Sequence, residues 1–373
     1  MCKGFVFDTL VDEDNLCNLT RERNLIYESI IKKRNVVIYA PRNYGKTSLV
    51  KNVIIKDFKA RNKNAYVFYI DLFSVKSIES FNMLLKVALE HSIRDLYIAK
   101  IKKEMKDFIL SLKPTISYDS ITGMANFSFN SIDTDNPSNI FTIFETIQQF
   151  SKKYPTLLVI DEFQEILNIE PQIGILRGIL QEASFPTIIM GSKQHMLKEI
   201  FSNPTKPFYQ WGTHISFDPI PYDEYHEYMM ERFSNNKLTI SIENSKYIQD
   251  ILHRIPESIN IICSEITDSY FDCKITQEVI KNTIMKHIEY KHSKYESIIN
   301  NYNLNEEKVI IAVSKHRYVK QPNSKDFLKY IGMNHKTVSV IIKRLLDHGT
   351  FELTQDGYRL NDPLLEIYVT NNR

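Results

Sequence analysis

What this chain has little of narrows it first. Its four cysteines, Cys2, Cys17, Cys263 and Cys273, include no Cys-x-x-Cys or other close pair. Four scattered thiols in 373 residues form neither a disulfide framework nor a zinc cage, and they suit a reduced, cytoplasmic setting. Neither sign of charge is in excess. With 47 Lys and Arg against 45 Asp and Glu the formal net charge is +2, so no global field draws the chain to nucleic acid or to a membrane. The start, Met1-Cys2-Lys3-Gly4, has no apolar targeting core, and no apolar run approaches the ~20 residues that span a bilayer. Low-complexity linkers are missing too. What remains is a globular chain, 43 % hydrophobic and long enough for two or three domains.

Against that background the segment Asn35 to Leu49 stands out. The apolar β-type run Val36-Val37-Ile38-Tyr39 enters a short loop, and Gly45-Lys46-Thr47 opens a helix with Leu49, Val50, Val53 and Ile54 on one side. This is the layout of a phosphate-binding P-loop: backbone N–H groups wrap phosphates, and the helix N-terminus adds partial positive charge. Pro41, Arg42, Asn43, Tyr44, Gly45, Lys46, Thr47 and Ser48 are therefore predicted to cradle a nucleotide. Lys46 is placed to reach the β- and γ-phosphates, and the Thr47 hydroxyl to ligate Mg²⁺. Gly45 keeps a Cβ away from the phosphate. The usual first glycine of the motif is Ala40 here, which fits only at negative φ.

A second run, Thr156 to Ile160, is apolar without alternation and ends in Asp161 and Glu162. Unbroken apolar character suits a central strand of a parallel sheet covered on both faces. Ligands of such sheets bind at the carboxyl ends of the strands, where Asp161 would hold Mg²⁺ through water and Glu162 would polarise an attacking water. Thr187 to Met190 is another such strand, followed by Gly191-Ser192. Ser192 reads equally as a γ-phosphate sensor and as ordinary turn chemistry. Ala65 to Asp71 and His214 to Phe217 bring the strands to five, alternating with helical patterns: a doubly wound parallel α/β sheet.

These residues carry a family resemblance. The Pro-Arg-x-x-Gly-Lys-Thr-Ser-Leu loop, the Ile-Asp-Glu-Phe-Gln-Glu box (Ile160 to Glu165) and the Gly-Ser strand end resemble the archaeal-type ATPases, which belong with the AAA+ and STAND P-loop proteins. The likeness runs from about Asn18 to the C-terminus. It implies ATP and Mg²⁺ as cofactors and ATP hydrolysis as the activity. In that reading Lys46, Glu162 and Ser192 are catalytic, and Thr47 and Asp161 hold the metal. ATP rather than GTP rests on the resemblance alone; no Asn-Lys-x-Asp motif follows the Asp161 strand. Relatives often carry an Arg after a Pro-aromatic-Tyr segment, as a finger for a neighbouring subunit. Here Pro207-Phe208-Tyr209-Gln210-Trp211 has none, which predicts slow hydrolysis or help from elsewhere. Arg254, beside Pro256, is the nearest candidate for a second sensor, set against a plain helix-end Arg. The nuclease-like extension of longer relatives is absent from the sequence.

Three domains are expected: a P-loop ATPase domain at 1–220, a helical lid at 221–300 and a winged helix-turn-helix at 301–373. Within the first, Ser80 to Leu112 reads as a long helix, basic from Lys100 to Lys106, followed by a hairpin insertion at Thr115 to Asn130 and a polar loop to Asn139. Lid helices are predicted at Tyr222–Phe233, Ser245–His253, Ser258–Tyr270 and Thr276–Tyr290. The last part shows helices at Glu306–Lys315, Lys325–Ile331 (capped by Ser324, stopped by Gly332) and from the Asn334 cap to His348. A hairpin with an Asp356-Gly357 turn then forms the wing.

On the third of these helices Lys336, Ser339, Lys343 and Arg344 lie off the apolar stripe and are the candidates for duplex DNA. Residues 305–373 hold 11 Lys and Arg against 8 Asp and Glu, a balance that predicts weak, salt-sensitive DNA binding. Two functions compete. One is an ATPase whose nucleotide cycle gates contact with DNA. The other is a slow STAND-type switch whose winged helix docks a protein, either another copy or a separate partner.

Overall fold

The computed structural model describes residues 4–17, 19–98, 115–118, 125–128 and 139–373. They divide into two compact units, one made of Thr20–Pro41 and Lys46–Phe217, the other of Met1–Leu19, Arg42–Gly45 and Asp218–Arg373.

The first is built on a five-stranded sheet of β1 (Val36–Tyr39), β2 (Tyr66–Asp71), β5 (Thr156–Asp161), β6 (Thr187–Gly191) and β7 (Thr213–Ser216). The strand order is β2-β5-β6-β1-β7, and every pairing is parallel. Every residue of β1, β5 and β6 is buried, which is why these segments are apolar throughout rather than alternating. Between β2 and β5, β3 (Thr115–Tyr118) and β4 (Ala125–Ser128) pair antiparallel, the predicted hairpin. Its turn at Thr122-Gly123 and the polar loop after it lie outside the described residues. The long helix spans Ile78–Ile98, and the basic Lys100–Lys106 stretch with the remainder to Leu112 is also outside them. Aromatic packing closes the core: the Tyr66 and Phe150 rings stack at 4.4 Å, and Trp211 is buried against Phe201 and Phe208.

In the other unit the lid helices are Tyr222–Phe233, Ile242–Ile251, Pro256–Ser269 and Gln277–Tyr290, with β8 (Thr239–Ile240) and β9 (Lys274–Ile275) between them. Two start earlier than the apolar pattern alone suggests. The Ser241 side chain accepts from the Asn244 N–H, and Pro256 occupies a first-turn position where its missing N–H costs nothing. His292–Asn300 leads to the winged helix: Leu304–His316, Lys325–Ile331, His335–Asp347, the wing strands β10 (Phe351–Leu353) and β11 (Tyr358–Leu360), and Pro363–Asn372. The first of these also starts early, because Asn303 and Glu306 form a reciprocal capping box.

Lid and winged helix share one continuous apolar core, from Tyr225 and Ile262 through Ile310 to Leu345 and Val369. The amino-terminal segment is tied to the lid by Arg232, 2 % exposed. Its guanidinium donates to the carbonyls of Gly4 (3.0 Å) and Asp14 (2.9 Å) and lies over the Tyr228 ring. No helix among the described residues is long and apolar enough to cross a membrane.

Leu158, fully buried in the middle of β5, tests the sheet core. Leu158→Ala is expected to cost about 2–5 kcal/mol in urea unfolding, and a loss under about 1 kcal/mol would place the strand elsewhere.

Candidate active site

Parallel strands share one carboxyl edge, and there β5 and β6 present Asp161, Glu162, Gly191 and Ser192. The helix opened by Lys46 faces that edge. It runs to Arg61, widening to π-type over Leu49–Ile54. The Lys46 side chain is only 6 % exposed, and its ammonium donates to Asp161 Oδ1 at 2.7 Å and to Glu162 Oε1 at 3.1 Å. Two of the ammonium's three protons are thus directed at carboxylates, which leaves one for a phosphate oxygen.

Asp161 gathers further donors. The Thr47 hydroxyl donates to its Oδ2 at 3.1 Å, the Tyr69 hydroxyl to the same atom at 2.7 Å, and the Glu162 N–H to Oδ1 at 2.9 Å. Thr47 and Asp161 together form a hard two-oxygen set, which fits Mg²⁺, an ion commonly held by one or two protein oxygens plus substrate phosphates. Tyr69 is a site residue that sequence reasoning missed. Its signal is register: β2 pairs with β5 residue for residue, Asp71 beside Asp161, so the end of β2 belongs to the same edge. Burial, reinforced by the adjoining Asp161, raises the Tyr69 pKa far above the usual phenol range. Burial likewise raises the Asp71 carboxyl, with Asp161 and Glu162 adding to the effect.

Glu162 is held more elaborately. Its backbone is left-handed, at φ 50° and ψ 42°, a region that a side-chain-bearing residue occupies at a cost of about 1–3 kcal/mol. Ser192 Oγ donates to Glu162 Oε2 at 2.9 Å, and the Gln164 amide nitrogen donates to the same oxygen. Burial pushes the carboxyl up, but the Lys46 ammonium and the three hydrogen bonds outweigh it, so the pKa lies below the ordinary glutamate value. Glu162 is therefore held as a carboxylate, the form a base requires.

The loop tip needs left-handed backbone at Asn43 (φ 64°) and Gly45 (φ 74°), whereas Ala40 is buried without positive φ, as the loop requires. Pro41 is half-buried, Arg42 is exposed, and Ser48 is buried on the first helical turn. Residues Arg42–Gly45 fall in the unit that holds the winged helix. There the Arg42 guanidinium carbon lies 3.6 Å from the position a Cβ on Gly349 would take. Tyr44 is buried, and its phenol is pushed up to about 12 by that burial, with Glu352 of the wing adding to it and Arg359 and Arg254 opposing. Arg254 is held locally rather than solvated. It lies over the Tyr222 ring at 4.2 Å and donates to the carbonyls of Pro219 and Ile220.

The four DNA candidates separate. Lys336 and Lys343 are exposed on His335–Asp347. The Ser339 hydroxyl donates to Asn323 at 3.3 Å, and Arg344 is engaged by the buried Glu306 at 2.8 Å.

The winged helix is also recognised by sequence: residues 293–371 match the family described as "Probable winged helix domain". An uncharacterised ATP-binding protein of Methanocaldococcus jannaschii is 30 % identical over 168 residues, which span 42 % of this chain and 45 % of that one, so the chain covers under half the length of that relative. Among solved structures, a Walker-type ATPase of Pyrococcus abyssi superposes with a TM-score of 0.65 at 12 % identity, over 98 % of this chain and 99 % of the other. The Aeropyrum pernix ORC1 protein, solved in complex with DNA, gives 0.53 at 10 % identity over 99 % and 95 %. The ORC2 protein of the same organism, solved with ADPNP and ADP, gives 0.54 at 12 % over 98 % and 96 %. The fold is that of P-loop ATPases with a C-terminal winged helix, and the resemblance to the archaeal-type ATPases stands.

The lowered Glu162 pKa has a consequence for stability. A carboxylate favoured by the folded state contributes above its unfolded pKa, near 4.5, and the contribution is lost as pH falls through the folded value. The stability difference between the unaltered protein and Glu162→Gln is expected to shrink steadily as chemical denaturation is repeated from pH 7 down to pH 3. A pH-independent difference would mean that Glu162 is not held as described.

Proposed function

We propose that this chain is a Mg²⁺-dependent ATPase whose nucleotide state is linked to a C-terminal winged helix that contacts duplex DNA. The observation that carries the catalytic part is the Lys46 ammonium set between Asp161 and Glu162 at the sheet edge. In this reading the 41–48 loop and helix N-terminus bind the triphosphate. Lys46 shifts part of its bonding to the β- and γ-phosphates, Thr47 and Asp161 hold Mg²⁺, and Ser192 keeps Glu162 aimed at the attacking water. Mg²⁺ supplies charge neutralisation on the phosphates; the proton goes to the Glu162 carboxylate. The ATP-binding relative and the shared fold support ATP as the nucleotide.

The organisation that goes with this activity is an ATPase domain at 1–220, a lid at 221–300 and a winged helix at 301–373, working in the cytoplasm. Coupling is supported within one unit, where loop residues Arg42 and Tyr44 lie beside Gly349 and the Glu352–Arg359 wing pair. DNA contact is supported by exposed Lys336 and Lys343 on the third helix and by the fold shared with a protein solved on DNA. The competing reading is a slow STAND-type switch that docks a protein. It is favoured by Val340, 68 % exposed on that same helix, and by Tyr330 on the helix before it.

Lys46→Ala is expected to abolish ATP binding by calorimetry, while Glu162→Gln keeps ATP bound and loses about 10²–10⁴-fold in turnover. Undiminished ATP affinity in the first variant, or undiminished turnover in the second, defeats the assignment. For DNA, Lys336→Glu with Lys343→Glu is the sharper variant, because reversing Arg344 would strand the buried Glu306. Retention of a duplex at low salt is expected to weaken and the salt slope to flatten by about two units; unchanged retention moves the winged helix to protein docking.

A further inference from the structure

Gln164 is 1 % exposed, two residues past Glu162 at the head of the Phe163–Ile169 helical segment. A buried amide needs partners for both ends, and this one has them at one end only. The nitrogen donates to Glu162 Oε2 and, at 3.5 Å, to Glu165; the carbonyl oxygen is buried with no hydrogen-bond partner. Since an ionised carboxylate only accepts, the amide cannot turn its oxygen toward Glu162 without replacing attraction by repulsion. The unpartnered oxygen instead sits against the last residue of β6. A Cβ built on Gly191 would come 2.1 Å from it and 3.1 Å from the Leu197 side chain. Gly191 keeps an ordinary backbone, so nothing about φ demands glycine there. The space its missing side chain leaves is filled by the Gln164 carbonyl.

We propose that Gln164 is a positioning residue for ATP hydrolysis. Wedged against Gly191, its amide fixes the rotamer of Glu162, so that the base and Ser192, the residue after Gly191, keep one geometry. The inference rests on the ATPase reading and adds to it a residue and a steric partner. Three donors converge on Glu162, but only Gln164 is buried to this degree and locked from behind by backbone. Accurate placement of a general base is worth orders of magnitude in rate, and a displacement of about 1 Å can cost ~10²-fold. A methyl group at 191 would come 2.1 Å from the amide oxygen, so the amide has to shift, and its bond to Glu162 shifts with it.

The test compares Gln164→Ala, Gly191→Ala and the double variant, with Mg²⁺-ATP turnover read against ATP affinity by calorimetry and thermal melts as the check on folding. Each single variant is expected to lose about tenfold or more in kcat with ATP affinity within about twofold. The double variant is expected to fall no further than either single one, since both remove the same restraint and Gln164→Ala makes room for the new methyl. The proposal is overturned if Gln164→Ala keeps its turnover, if the loss appears in ATP affinity rather than kcat, or if the two losses multiply. Absence of turnover in the unaltered protein would remove the ATPase reading and this inference together; turnover there without these losses removes the inference alone.

Discussion

One buried ammonium organises the sheet edge. Lys46 is almost entirely out of water, and a lone charge there would be untenable, so its two carboxylate partners are a condition of its burial. Removing one partner of such a set typically costs 3–5 kcal/mol, because the remaining charge is left uncompensated. The consequence runs in both directions. Asp161 and Glu162 sit next to each other despite like charge because Lys46 lies between them, and the left-handed backbone at Glu162 is maintained because the side chain is anchored by Lys46, Ser192 and Gln164. A phosphate arriving at the loop would meet a cation already oriented by these bonds, with its desolvation already compensated.

Much of this was legible in the sequence because it is local. The P-loop spacing, the apolar β5 run ending in Asp161-Glu162, and the Ser324, Gly332 and Asn334 caps each depend on residues within a few positions of one another. Five parallel strands, the insertion hairpin and the wing strands follow from the same short-range patterns. Less visible were features created when distant segments meet. Tyr69 reaches Asp161 across 92 positions, and nothing in its own strand marks it out. The Gly191-Ser192 strand end read evenly as a sensor and as turn chemistry, whereas the space beside Gly191 is filled by the amide of Gln164, 27 residues earlier in the chain. Arg344 shared its pattern with Lys336 and Lys343, and only the fold shows that Glu306 holds it. Helix starts were missed where a capping side chain or a proline extends the helix beyond its apolar stripe, as at Ile242, Pro256 and Leu304.

The winged helix is defined as much by its internal attachments as by its exposed face. His253 of the lid bonds Glu366 of the final helix, and Tyr302 bonds Thr350 at the base of the wing. With the shared apolar core, these bonds make lid and winged helix one mechanical body within their unit. In the same unit Arg42 lies beside Gly349, and Tyr44 is close enough to the wing for Glu352 and Arg359 to act on its phenol.

Strand order has a consequence for how the chain is made. β1 is flanked by β6 and β7, its partners Ile188 and Thr213 lying far downstream of Val36. At ribosomal speeds of roughly 5–20 residues per second, Val36 to Tyr39 emerge on the order of 10–30 s before a neighbouring strand exists to cover them. An apolar strand with both edges unpaired for that long is a target for chaperones or for another nascent chain. The strand that enters the Gly45-Lys46-Thr47 turn is thus the first of the sheet to be made, and it waits for both of its neighbours.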